Sequence, residues 1–403
     1  MRIVHINSVA HGSTGKIMLN IAETVKKMGH EAYTFSESRR EAYAPDNHRF
    51  FGDCVENMFH RGFSMISGIS GKGSCVSTWR LLRELDKISP DILHLHNLHG
   101  WYINIPMLFD YIRRNKIKTI WTLHDCWAFT AQCSHFTMEK CEKWRNGCYS
   151  CPRYKIYPYT LVDRTRMMWQ LKKQWFSGID GMTIVTPSRW LSDLVGQSFL
   201  KDYSVCVINN GIDLSVFKPT QSDFREKYSL TNKKIVLGVA AGWTNRKGLD
   251  VFIELSKRLD PIVYKIVLVG TDSKVDNLLP KEIISIHRTQ NPEELADIYS
   301  AADVFVNPTR EENYPTVNME SIACGTPVVT FDVGGCAEMI NGKVGILVEP
   351  DNIDEMFAAI EKTCNEQFYD LSDFIVQAET FRMEDKFTEY IRLYNSIAAH
   401  DGG

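Results

Sequence analysis

"DVFVNPTREENYPTVNMESIACGTPVVTFD", residues 303–332, decides how the chain is read. It opens with "DVFVNPT", a short apolar run rich in valine, which predicts a buried strand. The loop "REENYP" then crosses the strand's carboxyl end. "TVNMESIACG" carries a helical pattern, and "TPVVTFD" is a second short apolar run behind a helix-ending glycine. Strand, helix, strand is a βαβ unit and implies a parallel sheet.

The same alternation extends in both directions. Toward the amino end of this half, "KKIVLGVAAG" (233–242), "KGLDVFIELSKRL" (247–259), "YKIVLVGTD" (264–272) and "PEELADIYSAA" (292–302) read as strand, helix, strand and helix. "KVGILVEP" and "NIDEMFAAIEKTC" complete it. An earlier series begins with "RIVHINSV" (2–9), the helical "KIMLNIAETVKKMGH" and "EAYTFSE". It continues through "DILHLHNL", "KTIWTLHD", "GMTIVTPSRWL" and "YSVCVINNGID". At 403 residues the chain exceeds one ordinary core. The expected architecture is α/β, two Rossmann-like doubly wound domains facing a central cleft. Their expected bounds are 1–206 and 207–380. The amphipathic helix 381–400 could pack on either domain, including back onto the first. Ligands of such sheets bind beyond the carboxyl ends of the strands.

The loop and helix of the opening stretch then acquire a chemical reading. Pro315 fixes the chain before the helix, and Thr316 is expected to cap it. The first-turn N–H groups near Thr316 and Val317 form an anion site suited to a diphosphate. Glu320, at i+4 from Thr316, can accept hydrogen bonds from a ribose diol. Glu312 lies nearer whatever the diphosphate carries. Taken alone, two glutamates eight apart would more often be surface carboxylates flanking a helix; the surrounding residues narrow the reading.

With "ENYPTVNME" (312–320), "ACGTPVV" (323–329), the glycine pair 334–335 and Glu338, the chain resembles the family 4 glycosyltransferases. That is a large retaining group with the GT-B fold. "NNGID" (209–213) with Phe217 and Pro219 matches that family's inter-domain hinge, and "WTLHD" (121–125) its sugar-contacting histidine region. "LHLHNLHGWYINIP" and "TLHDCWAF" resemble a subgroup that builds bacterial capsular, exopolysaccharide and lipopolysaccharide chains.

The resemblance implies a sugar transfer from a nucleoside-diphosphate donor to a glycan or polyprenyl-diphosphate-linked acceptor, the lipid-linked form being the one a membrane-facing surface would suit. It assigns Glu320 to the ribose, Glu312 and His124 to the donor sugar, and Lys247 to the diphosphate, as a point charge on phosphate. An arginine usual in the family stands five or six positions before that lysine; here those positions are Gly242 and Ala241. Arg246 is the substitute, or else a solvated surface charge. Gly12 and Gly15 of "AHGSTGK" would let backbone amides approach the substrates, or simply form a tight turn. Asn210 and Gly211 join the donor-binding set. No catalytic metal is expected, because Lys247 supplies the positive charge. Retention implies front-face attack assisted by the departing phosphate; double displacement through Glu312 or Asp125 is the alternative. A nucleotide-sugar sensor without turnover and a nucleotide-sugar epimerase are the competing functions.

Three features lie outside that signature. Cys133, Cys141, Cys148 and Cys151 are spaced C-x7-C-x6-C-x2-C, which fits structural zinc; unligated thiols and a redox disulfide are the alternatives. His94, His96 and His99 invite a metal reading, but strand alternation favours polar contacts or satisfied core histidines. Residues 153–174 interleave Arg153, Lys155, Arg164, Arg166, Lys172 and Lys173 with Met167, Met168, Trp169 and Leu171. That stretch predicts either a lipid-facing surface or a helix packed on its own domain. A formal charge of −3 excludes a global pull toward nucleic acid. No apolar run reaches the ~18 residues a spanning helix needs. The start lacks a signal peptide's apolar stretch. The expected location is cytoplasmic, or peripheral at the inner face of the plasma membrane.

Overall fold

The structure is a computed structural model that describes residues 1–37, 47–366 and 369–399. It divides into two compact units. One comprises Met1–Asn209 together with the chain from Lys386 onward, and the other is Asn210–Asp385.

In the first unit, strands β1 (Arg2–Ile6), β2 (Glu31–Ser36), β3 (His48–Phe50), β4 (Ile92–Leu95), β5 (Thr119–Thr122), β6 (Met182–Thr186) and β7 (Ser204–Val207) form one sheet. Its order is β3-β2-β1-β4-β5-β6-β7. In the second unit, β8 (Lys234–Val239), β9 (Tyr264–Val269), β10 (Ile284–Ile286), β11 (Val304–Asn307), β12 (Val328–Phe331) and β13 (Gly345–Val348) lie in the order β10-β9-β8-β11-β12-β13. Every pairing in both sheets is parallel. Both are therefore doubly wound. The chain reverses its winding between β1 and β4, and again between β8 and β11.

The strands are apolar throughout because helices cover both faces. In the second unit Ile235, Leu237, Phe305 and Val328 enter one core. Their strand neighbours Val236, Val304, Val306 and Val329 enter the other. That is the period-two alternation of a strand buried on both sides.

Register also brings polar side chains together. His5 of β1 lies opposite His94 of β4. The helix Met383–Ala399 buries Tyr390 and Tyr394. The Tyr394 hydroxyl bonds His94 Nδ1 at 2.7 Å, and the Tyr390 hydroxyl bonds Thr122 Oγ1 at 3.3 Å. Lys118 Nζ donates to the carbonyls of Ile397 and Ala398 at 2.9 and 3.3 Å, which satisfies the helix's last turn.

Tyr394 is fully buried, so Tyr394→Ala leaves both a cavity and an unpaired imidazole nitrogen. Denaturant unfolding is expected to show a loss of about 3–5 kcal/mol. A loss within experimental error of zero would mean this helix is not part of the first unit's core.

Candidate functional site

Three loops of the second unit leave the carboxyl ends of β8, β11 and β12 and meet. The segment after β8 contains the short turn Asn245–Lys247. Gly248 follows at φ +77°, and a Cβ there would lie 2.5 Å from the Pro308 carbonyl. Only glycine lets the β8 loop approach the β11 loop so closely. The loops are then tied together. Arg310 N donates to the Arg246 carbonyl at 2.9 Å, and Arg246 Nη1 donates to the Glu311 carbonyl at 2.9 Å. Arg246 is therefore engaged by the loop it faces and is not a solvated surface charge. Arg310 forks onto Asp250 at 2.8 and 2.7 Å and reaches Asp351 at 2.5 Å. Lys247 Nζ is hydrogen-bonded to the Glu312 carboxylate.

The β12 loop closes the arrangement. Gly335 N donates to the Asn313 carbonyl at 2.7 Å. Gly334 stands at φ +57°, and a Cβ would fall 1.8 Å from the Glu312 carbonyl oxygen. The glycine pair thus makes room for the backbone that carries Glu312.

From this loop the helix Thr316–Ala323 begins. Pro315 holds the cap position, with no side-chain cap bond. Thr316 is thus the first helical residue, and the expectation that it caps the helix is corrected. Proline there needs no N–H acceptor, and the N–H groups of Thr316 and Val317 have no intrahelical acceptor at any helix start. Within residues 311–320, Glu312, Thr316, Val317 and Glu320 are half-buried while the remaining six are buried. The residues given chemical roles are thus the partly accessible ones of this segment, and within the helix Thr316 and Glu320 stand one turn apart on the same face. Glu320 accepts a 3.2 Å bond from the buried hydroxyl of Tyr299, which fixes its carboxylate.

The first unit has its own cluster at the carboxyl ends of β4 and β5. His124 is half-buried, and its Nε2 lies 3.1 Å from His96 Nδ1. His96 Nε2 in turn lies 3.3 Å from His5 Nδ1. Burial pushes His5 down to about 3 and His124 to about 4, and holds His94 and His96 well below the usual histidine range. All four rings are neutral at ordinary pH. Asp125 is different. Burial opposes its charge, but His99, at 3.2 Å, and the Trp127 amide hold it down at about 2. His99 also bonds the Tyr157 hydroxyl at 3.1 Å.

The other expected residues have structural roles of their own. Gly12 begins the helix Gly12–Lys27 and is exposed. Gly15 lies against the Ala10 carbonyl, where a Cβ would be 2.4 Å from its carbon. Asn210 Nδ2 donates to the Tyr314 carbonyl at 3.3 Å, and Gly211 is packed on Met383. Cys133, Cys141, Cys148 and Cys151 line one cavity, and Cys133 and Cys151 are hydrogen-bonded. Among the described residues, the set whose ligand atoms converge within 4.8 Å is instead His5, His94 and His96. His99 stands apart from that set.

Of the two readings of 153–174, the structure bears out the packed helix in the second half. In the helix Thr165–Phe176, Met168, Trp169 and Lys172 are buried, so that helix packs on its own unit. Lys172 sits 3.5 Å over the Trp127 ring and donates to the Trp127 carbonyl. Sequence reading also missed His5, Tyr299 and Arg310. Only the strand register of β1 and β4 could have pointed to His5.

Comparison with known proteins follows the same division. The profile described as Glycosyltransferase Family 4 matches residues 14–216, and the one described as Glycosyl transferases group 1 matches residues 233–366. An Escherichia coli K12 protein, WcaC, assigned to colanic acid biosynthesis as a glycosyl transferase, is 22% identical over 76% of this chain and 77% of its own. The Staphylococcus aureus capsular polysaccharide biosynthesis glycosyltransferase CapM is 27% identical over 52% of this chain and 60% of its own. The Anabaena protein HepE, solved with UDP-glucose, superposes with a TM-score of 0.68 at 14% identity, covering 98% of this chain and all of that one.

The neutral histidines make stability depend on pH. An unfolded histidine takes up its proton near pH 6.5. His5, His60, His94, His96 and His124 have pKa values pushed below that point by burial. Below about pH 6.5 the unfolded chain therefore binds more protons, and stability falls as the pH drops. At pH 6 the slope of unfolding free energy is expected to correspond to an uptake of about four protons. A flat profile between pH 5.5 and 6.5 would show that these rings are charged in the fold.

Proposed function

The chain belongs to Glycosyltransferase Family 4 and is a glycosyltransferase; from that premise we propose that it moves a sugar, with retention, from a nucleoside-diphosphate donor to a glycan of bacterial surface polysaccharide. The observation that carries this reading is that Glu312, Thr316, Val317 and Glu320 are the partly accessible residues of 311–320, where the chain leaves a strand of a doubly wound sheet and enters a helix. The polysaccharide-biosynthesis roles of WcaC and CapM support the polysaccharide assignment, and HepE's UDP-glucose supports the donor class.

Each residue has a physical task. The helix start at Thr316 offers N–H groups and the positive end of the helix dipole to the diphosphate. Lys247 adds a full charge where negative charge builds on the leaving group. Its contact with Glu312 places a carboxylate beside that cation, where sugar hydroxyls need an acceptor. Glu320, steadied by Tyr299, is the acceptor for the ribose diol. By the family resemblance, His124 is assigned to the donor sugar. We assign the second cation to Arg246, which acts by holding the loop of Glu311 and Glu312 rather than by standing where the family's usual arginine does. In front-face transfer the acceptor oxygen bonds to C1 as the C1–phosphate bond breaks and the departing phosphate takes the acceptor's proton, so no side-chain nucleophile is required; Lys247 supplies the charge that a divalent ion would otherwise place on the diphosphate.

Lys247→Ala is expected to lower kcat/KM by about 10²–10³-fold, the usual loss of one electrostatic contact to a developing charge. Glu320→Ala is expected to raise the donor KM more than it lowers kcat. Both are read in a donor-turnover assay with UDP- and GDP-sugars. Activity lost to EDTA and restored by Mg²⁺ or Mn²⁺ would overturn the metal-free mechanism. Donor binding without turnover, whatever the acceptor, would overturn the assignment of this site as a transferase centre.

A second observation supports a reading of where the acceptor is met. No helix is long and apolar enough to span a membrane among the described residues. The helix Cys54–Ser67, however, turns Val55, Met58, Phe59, Phe63 and Ile66 outward, each between 49% and 70% exposed. Their spacing is that of one helix face. Arg61 on the same helix and Lys72 just beyond it are exposed. Arg164, also exposed, packs against Gly68 at the helix's end. We propose that this face rests on anionic lipid, where a polyprenyl-linked acceptor would be presented. Vesicles containing phosphatidylglycerol are expected to float the protein at low salt and to release it in part at high salt. Phe59→Ser with Ile66→Ser should abolish flotation while the thermal shift caused by UDP-glucose persists. Flotation unchanged in that variant would move the contact elsewhere.

A further inference from the structure

We propose that His96 is a positioning residue which, with His5 behind it, fixes His124 as its Nδ1–H tautomer. Three imidazoles form a chain of two hydrogen bonds. His5 Nδ1 meets His96 Nε2 at 3.3 Å, and His96 Nδ1 meets His124 Nε2 at 3.1 Å. The last two rings lie nearly parallel, 13° apart. His5 and His96 are 0% and 1% exposed. A neutral imidazole has one N–H and one bare nitrogen, so such a chain has a direction.

Only two directions exist. In one, each ring carries its hydrogen on Nε2, and the chain donates from His124 toward His5. His5 Nε2–H would then be left at the end. That atom is enclosed and has no hydrogen-bond partner. In the other direction each ring carries its hydrogen on Nδ1, and the chain donates from His5 toward His124. The end atom is then a bare lone pair. A buried N–H without an acceptor is the rarer and costlier arrangement, whereas an unused lone pair is tolerated better. The chain therefore runs from His5 to His96 to His124.

The consequence falls on His124. Its Nε2 accepts from His96, and its hydrogen is carried on Nδ1. Under the reading of His124 as the residue that contacts the donor sugar, on which this consequence rests, it offers the sugar an N–H. The contacted hydroxyl oxygen is the acceptor. The register that sets His94 of β4 opposite His5 of β1, with His96 just past the end of β4, thus sets the polarity of a contact made from the loop after β5.

Two-bond ¹H–¹⁵N correlation spectra of histidine-labelled protein read each tautomer directly and need no substrate. In the wild-type protein His124 is expected as Nδ1–H, with its signals assigned by their loss in His124→Gln. His124 observed as Nε2–H overturns the proposal, whether or not the protein proves to be a transferase. His96→Leu removes the donor; it is expected to mix the His124 tautomers and lower kcat/KM by at least about tenfold. His96→Asn keeps an amide donor near the position of Nδ1 and is expected to restore both. A His96→Leu protein with an unchanged His124 tautomer overturns the proposal. Should that variant fail to fold, the wild-type spectrum and His96→Asn decide.

Discussion

A parallel strand cannot be followed by its neighbour without a crossover, and this constraint organises both units. Each crossover returns the chain to the same edge, so all carboxyl ends point one way. Where the winding reverses, two successive loops diverge and leave a crevice. In the second unit those loops follow β8 and β11, and they carry Lys247 and Glu312. In the first unit the winding reverses between β1 and β4, beside the histidine chain that ends on His124. Neither cluster is built from neighbours in sequence. Each is a product of strand order.

What holds the second cluster is backbone packing more than charge. Two glycines at positive φ, Gly248 and Gly334, admit the Pro308 and Glu312 carbonyls to distances no Cβ would allow. Arg310 then spends its guanidinium on Asp250, Asp351 and the Asn245 carbonyl. Those bonds fix the loop's course and leave Lys247 and Glu312 facing each other. Both side chains are only about one-fifth exposed, so the Coulomb gain of the Lys247–Glu312 contact is offset by the cost of desolvating two charges, and the pair is a poor stabiliser. Its value lies in setting two opposite charges where a substrate can replace one partner by another.

The first cluster works by exclusion of water. Four imidazoles are kept neutral by burial, whereas Asp125 alongside them keeps its charge because His99 and a backbone amide support it. Neutral rings can be both donor and acceptor, so they can transmit a direction. Two tyrosines from the closing helix seal the opposite side of the same residues, through His94 and Thr122. The fold thus uses one helix both as core and as the boundary of a polar chain.

The alternation of short valine-rich runs with helical stretches was enough to read two parallel sheets, because a strand buried on both faces has no other composition. The segment 312–320 was legible for a similar reason: proline and helix geometry determine which positions stay accessible. Other features were not local. Thr316 had the composition of a cap, but Pro315 took that position. Lys172 looked like part of a basic surface, yet tertiary packing buried it over Trp127. Arg246 had no readable direction until the β11 loop was seen to cross it. The polarity of His5, His96 and His124 depended on which strand lies beside which, and on one nitrogen having nothing to meet. Composition and period therefore settled the elements and the residue types at the sites, since both are set over a few neighbouring residues. Distances between residues about 65 or 90 positions apart in the chain, Lys247 to Glu312 and His5 to His96, were settled only by the order of strands in the sheets.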